Sequence, residues 1–107
     1  MPEKWDNPKT EALLKAVLAL RNTSEAKRFF RDLLTEAELI EFGNRWQTAK
    51  MLDRNIPYST ITAKTGLSST TIARVSQWLN NGMGGYKLIL NKLAHHHGSS
   101  SFEKGLG

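Results

Sequence analysis

Apolar residues recur at three- and four-residue intervals along most of this chain, and that spacing predicts an all-α protein of about six helices. The first predicted helix is well marked at its start. Asn7 is placed to cap it, and Pro8 suits the first helical position, where a backbone N–H is not needed. Leu13, Leu14, Val17, Leu18 and Leu20 then repeat at helical spacing to about residue 21. With Ala12, Ala16 and Ala19 among them, the helix is apolar around much of its girth. A helix that greasy in 107 residues needs cover from several sides, and a second subunit is the expected source. Asn22-Thr23 breaks the pattern. Ser24 is the expected cap of a second helix over residues 25–33, with Phe29, Phe30 and Leu33 inward. Thr35-Glu36-Ala37-Glu38 reads as a capping box opening the longest helix. Its stripe is Leu39, Phe42, Trp46 and Ala49, widened by Ile40, Gly43 and Leu52. A mid-helix glycine costs about 1 kcal/mol against alanine, so Gly43 points to close approach of another backbone. The helix is expected to stop near Arg54-Asn55-Ile56, because Pro57 disfavours helical geometry at the residue before it.

The stretch from Tyr58 to Leu79 organises the rest. It predicts a short helix over about residues 59–65, a turn at Gly66, and a second helix capped by Ser68 or Ser69. Ile61, Leu67, Ile72 and Val75 are its apolar positions, spaced so that two helices clasp at a steep angle, as in a DNA-binding helix-turn-helix. Ser69, Thr70, Ala73, Arg74 and Gln77 fall on the outer face of the second helix. They are short, polar or basic, which suits a helix lying in a major groove. Thr62 departs from the small alanine usual at that point of such motifs; Ala63 follows it. After the motif, residues 80–85 break the chain, and a last helix is expected over about residues 86–93. Gly98 to Gly107 reads as a disordered tail behind a single all-α domain spanning residues 1–97.

Charge sharpens this picture. The net charge of +5 is confined to one part of the chain: residues 1–53 hold nine basic and nine acidic residues, while residues 54–102 hold Arg54, Lys64, Arg74, Lys87 and Lys92 and no acid. Five cations could be merely a solvated face, but their coincidence with the motif is the footprint expected for a polyanion partner. The chain has no cysteine, which excludes disulfides and zinc–thiolate sites and fits a reducing cytosol. No apolar run reaches the roughly 20 residues a membrane span needs, and the first residues lack a signal peptide's apolar segment. A cytoplasmic protein is expected. His95-His96-His97 points in three directions on a helix or strand and reads as tail, not as a metal site. With no other histidine and no glycine-rich loop after a strand, an enzyme is not expected, and no cofactor is implied.

Three stretches together resemble the Trp repressor superfamily: Leu34-Thr35-Glu36-Ala37-Glu38, the long helix with Gly43-Asn44-Arg45, and the run from Thr65 to Val75. The closer similarity is to its Trp-repressor-like branch, whose recognition helix ends in Arg-Val-x-x-x-Leu-Asn-x-Gly, as Arg74 to Gly82 does. The resemblance spans about residues 10–94 and is most specific over 34–82. It implies an intertwined all-α homodimer whose two recognition helices meet successive major grooves of a pseudo-palindromic operator, about 34 Å apart. The chain would then be a sequence-specific DNA-binding transcriptional regulator, a repressor, with double-stranded DNA as partner and no membrane involved. The expected DNA-binding residues are Arg54, Ser59, Lys64, Ser68, Ser69, Thr70, Thr71, Ala73, Arg74 and Gln77. Arg54, Lys64 and helix N-termini would hold phosphates; Ser69, Thr70, Thr71 and Arg74 would read bases.

In tryptophan-sensing relatives the corepressor's indole lies between two arginines. The resemblance places Arg45 and Arg74 at those positions and Thr35 at a threonine lining the site. Two positions depart: Val75 stands for a glycine and Trp78 for a serine. Overfilling a packed site costs about 1–3 kcal/mol. The resemblance therefore implies a vestigial pocket of Thr35, Arg45, Arg74, Val75 and Trp78, in which a buried Trp78 indole replaces the ligand ring and free tryptophan is disfavoured as effector. The alternatives are that Trp78 swings outward and a smaller effector, such as an anion drawn by both arginines, uses the space, or that Arg45 and Arg74 simply make salt bridges or contact phosphate. Two other readings compete with the regulator. One is a helical protein-interaction adaptor; the other is the DNA-binding part of a transposase-like system.

Overall fold

The computed structural model describes residues 3–103, and within them six helices and no strand. They are α1 (Pro8–Leu18), α2 (Thr23–Leu33), α3 (Glu36–Asp53), α4 (Tyr58–Thr65), α5 (Ser69–Asn81) and α6 (Gly85–Glu103). The expected all-α class is the observed one. No helix among the described residues is long and apolar enough to cross a membrane. The chain divides into two units, one ending at Ile40 and the other beginning at Glu41.

In the N-terminal unit the helix starts are built by side chains. Asn7 Oδ1 accepts from the backbone N–H of Lys9 and of Thr10, at 2.9 and 3.0 Å. The Asn7 N–H in turn donates to Thr10 Oγ1, which closes a capping box with Pro8 just inside it. Helix α1 ends at Leu18, three residues before the expected position. Helix α2 is capped by Asn22, whose Oδ1 accepts from Glu25 N–H at 2.9 Å, and not by Ser24, which lies inside the helix. Asn22 sits three residues before the N–H it accepts, the spacing of an N-cap, so the helix begins two residues earlier than a Ser24 cap would set it. The capping box of α3 forms as expected: Thr35 N–H donates to Glu38 Oε1 at 2.9 Å, and Glu38 N–H to Thr35 Oγ1 at 3.1 Å.

Neither α1 nor α2 buries a single residue in the isolated chain. Leu18 is 83% exposed, and Leu14 and Leu33 are also exposed, so Leu33 is not the inward residue its spacing predicts. Phe29 and Phe30 are half-buried and meet edge to face, with ring centroids 5.5 Å apart.

The core belongs to the C-terminal unit. Met51, Ile61, Leu67 and Ile72 form one buried cluster with Leu52 and Ile56 packed against it. Ala49, Val75 and Leu79 are buried as well. Helix α3 ends in a Schellman motif. Asn55 takes φ 60°, its N–H donates to Leu52 O, and Ile56 N–H reaches back to Met51 O at 3.1 Å. Ile56 and Met51 supply the accompanying apolar contact. The stop is therefore made at Asn55, a residue that visits the left-handed region at little cost, two positions before the proline.

Helix α6 begins one residue before the expected start and runs ten residues past the expected end, to Glu103. No proline interrupts residues 85–103, so nothing forces the ladder to break after Leu93. Residues 98–103 of the expected tail are thus helical, and 104–107 lie outside the described residues.

Candidate nucleic-acid interface

Helices α4 and α5 form the helix-turn-helix. Thr65 ends α4, and Gly66 follows in the left-handed conformation at φ 75°, where a Cβ is strained but glycine is not. Its N–H returns to Thr62 O at 2.8 Å. Thr65 is a joint the sequence did not single out. Its buried Oγ1 donates to Ile61 O at 2.8 Å and accepts from Leu67 N–H at 3.2 Å. One hydroxyl so joins the end of α4 to the turn. Ser68 caps α5, its Oγ accepting from Thr71 N–H at 3.2 Å. Ile61, Leu67, Ile72 and Val75 are all buried, as the clasped-helix pattern requires. At the far end Gly82 closes α5, where a Cβ would run into the Trp78 carbonyl.

What remains on the outside of α5 is one exposed face. Ser69, Thr70, Ala73, Arg74 and Gln77 are exposed together on it. Lys64, in the last turn of α4, is exposed, as are Arg54 and Ser59. The first turns of α4 and α5 contain no acidic residue. Their N-terminal N–H groups therefore meet no competing carboxylate in the same turn and can face phosphate. Ser68 and Thr71 stand differently. The Ser68 hydroxyl lies 3.2 Å from Thr71 Oγ1, and Thr71 is half-buried, so both hydroxyls are engaged in the cap.

The residues grouped by the implied pocket differ in their surroundings. Val75 is a fully buried core residue. Trp78 is 42% exposed, not buried, because it flanks the apolar ridge of α5 instead of lying on it. Arg74 is exposed and makes no ion pair among the described residues. Thr35 belongs to the N-terminal unit and holds the α3 cap. Arg45 and Trp78 come together, the guanidinium carbon 5.5 Å from the indole centroid. Arg45 also lies 5.7 Å from the Phe42 ring, and its Nε is 3.3 Å from Glu41 Oε2. The four-residue spacing of Glu41 and Arg45 was the available signal for that pair. Beside them Trp46 stacks on Tyr86 of α6, with centroids 6.2 Å apart. Burial pushes the Tyr86 phenol above its ordinary value, and the nearby Arg45 charge pulls it partly back. Among the described residues no group of three or more His, Cys, Asp or Glu is placed to hold a metal ion.

The family model described as Trp repressor protein matches residues 8–94. The chain belongs to the Trp repressor family. Its relatives include the Bacillus subtilis (strain 168) protein YerC, 33% identical over 91 residues, which are 85% of this chain and 88% of YerC. Two crystal structures in this family superpose closely. A TrpR-like protein from Eubacterium eligens ATCC 27750 gives a TM-score of 0.82 at 37% identity, covering 85% of this chain and 94% of the other. A candidate Trp repressor from Staphylococcus aureus gives 0.80 at 32% identity, covering 87% and 96%. Membership of the Trp repressor family points to a DNA-binding regulator and away from an enzyme.

Proposed function

We propose that this protein is a homodimeric transcriptional repressor that binds a pseudo-palindromic operator through α5. The observation that carries the reading is the outer face of α5. Five short, polar or basic residues stand exposed together there, mounted on a left-handed glycine turn in an acid-free, cationic part of the chain. Thr70, Ser69 and Arg74 are assigned to base edges, with Ala73 and Gln77 beside them; Arg54, Lys64 and Ser59 are assigned to phosphate. Ser68 and Thr71 act through the cap that aims the helix N-terminus.

The dimer is inferred from apolar surface left uncovered in one chain. Leu14, Leu18, Leu33, Ile40, Phe42, Leu88, Ile89 and Leu93 are all exposed. Patches of that extent mark association surfaces. Gly43 has open space where a Cβ would stand, so any close backbone approach there must come from outside the single chain. Free tryptophan is not the effector in this reading. Trp78 occupies the face of Arg45 and gives that cation an aromatic partner within the protein.

Selection of bound sites from a random duplex pool, followed by affinity measurement over a salt series, tests the proposal. A recovered inverted repeat bound more tightly than random duplex, with a steep salt slope, is the expected result. Absence of any salt-dependent retention on DNA would overturn it and favour the adaptor reading, in which the same apolar faces serve another protein.

A further inference from the structure

Helix α5 is anchored by Ile72, Val75 and Leu79, the three residues it buries. At 3.6 residues per turn these lie within about 60° of one another around the helix, a single narrow ridge. One ridge resists lifting but opposes rolling only weakly. Trp78 sits about 90° round from the middle of that ridge, on the side toward Arg74. A contact at that angle has the longest lever against rotation.

Trp78 has such a contact. Arg45 of α3 places its guanidinium 5.5 Å from the indole centroid. Arg45 is itself held on its own helix by Glu41, at 3.3 Å, and lies 5.7 Å from Phe42. We infer that Arg45 and Trp78 form a clamp between α3 and α5 that sets the roll of the recognition helix, making both of them positioning residues for sequence reading. This rests on the DNA-binding role proposed above. The geometry gives the consequence. Side-chain tips lie roughly 5–6 Å from a helix axis, so a roll of about 20° moves them by about 2 Å. That exceeds the narrow range within which a base-edge hydrogen bond forms. Phosphate attraction falls off slowly and tolerates such a shift.

The test uses the full-length chain and the variants Arg45→Met, Trp78→Leu and their combination, with Trp78→Phe as the variant that keeps an aromatic face. The probes are the best duplex recovered from random-pool selection and a random duplex of equal length. Each single variant is expected to lose about two- to fivefold in affinity for the selected duplex, with affinity for the random duplex and its salt slope unchanged. The double variant is expected to lose no more than the worse single one, and Trp78→Phe to retain most of the affinity. Equal loss on both duplexes would make Arg45 a phosphate contact and overturn the clamp, and so would losses that multiply in the double variant. Amide hydrogen exchange without DNA gives a second readout. Either single variant should speed exchange over the C-terminal half of α5 while the thermal midpoint falls by only a few degrees, roughly 2–8 °C. Unchanged exchange overturns the clamp. If the parent binds no DNA, the regulator reading fails on its own, and the exchange result still decides whether Arg45 holds the helix.

Discussion

Two threonines are buried in the C-terminal unit, and the same substitution is expected to move stability in opposite directions at the two sites. Thr65 is 9% exposed and Thr48 fully buried. The Thr65 hydroxyl donates to Ile61 O and accepts from Leu67 N–H. Among the described residues the Thr48 hydroxyl has no hydrogen-bond partner. Valine keeps the shape and β-branching of threonine and removes only the hydroxyl. At position 65 this deletes both bonds and leaves the amide of buried Leu67 without its acceptor. A buried polar group left unsatisfied costs about 1–3 kcal/mol, so Thr65→Val should destabilise by that amount. At position 48 an unpaid desolvation cost disappears, and Thr48→Val should stabilise by about 1 kcal/mol. The helix propensities of the two residues are close enough to drop out.

Urea unfolding at matched protein concentration measures both, since association makes the midpoint concentration-dependent. With a slope of roughly 1–3 kcal/mol/M, the two midpoints should fall on opposite sides of the parent and lie roughly 0.7–4 M apart. Because the same atoms are exchanged, effects on the unfolded chain largely cancel between the variants. Equal destabilisation by both would show that Thr48 is bonded as well as Thr65 is. A neutral Thr65→Val would show that its hydroxyl does not hold the joint between α4 and the turn, and the account of that turn would fail.

Lys64→Ala should weaken binding to every duplex alike and flatten the salt slope by roughly one unit. Thr70→Ala should instead change which sequence is preferred, and uniform losses from both variants would remove α5 from the groove. Sedimentation at micromolar concentration should show a dimer; a stable folded monomer there would leave the exposed Leu14, Leu18 and Leu93 unexplained. Tyr86 should titrate above the ordinary tyrosine value of 10.0, because burial opposes its charged form. Its folded value is raised, so the stability it contributes is complete below about pH 10 and is lost as pH rises through the raised value. Unfolding midpoints on either side of pH 10, compared with Tyr86→Phe, check the sign. Calorimetry with free tryptophan should show no saturable binding up to millimolar concentration, and binding that also raises DNA affinity would refute the assignment of Trp78. Val75→Gly combined with Trp78→Ser distinguishes a blocked pocket from a core position by whether the variant gains tryptophan binding or unfolds; complete burial of Val75 leads us to expect unfolding.

What could be read from the residues was what local chemistry decides. Asn7 with Pro8, Thr35 with Glu38, and Gly66 before Ser68 each mark a helix end through a bond that spans only a few residues. Periodicity likewise identified Ile61, Leu67, Ile72 and Val75, because a clasped helix pair needs those four positions apolar whatever else the fold does. The misreadings arose where a choice between neighbours was needed. Asn22 and Ser24 are both good caps, and the helix starts at the earlier one, where the Asn22 amide oxygen accepts from Glu25 N–H. Asn55 and Pro57 both end helices, and the left-handed asparagine acts earlier in the chain. Trp78 shows a different limit. Its distance from the ridge of Ile72, Val75 and Leu79 was calculable from spacing alone, and it already argued against full burial. That Arg45 would be the group to meet it depends on how α3 and α5 cross, which no local pattern encodes. The uncovered leucines of α1 mark the same boundary from the other side. Spacing shows that they need cover, and among the described residues α1 buries none of them. In the proposed reading, the residues that would decide assembly and base recognition are thus those whose partners lie farthest away in sequence, or on a second molecule.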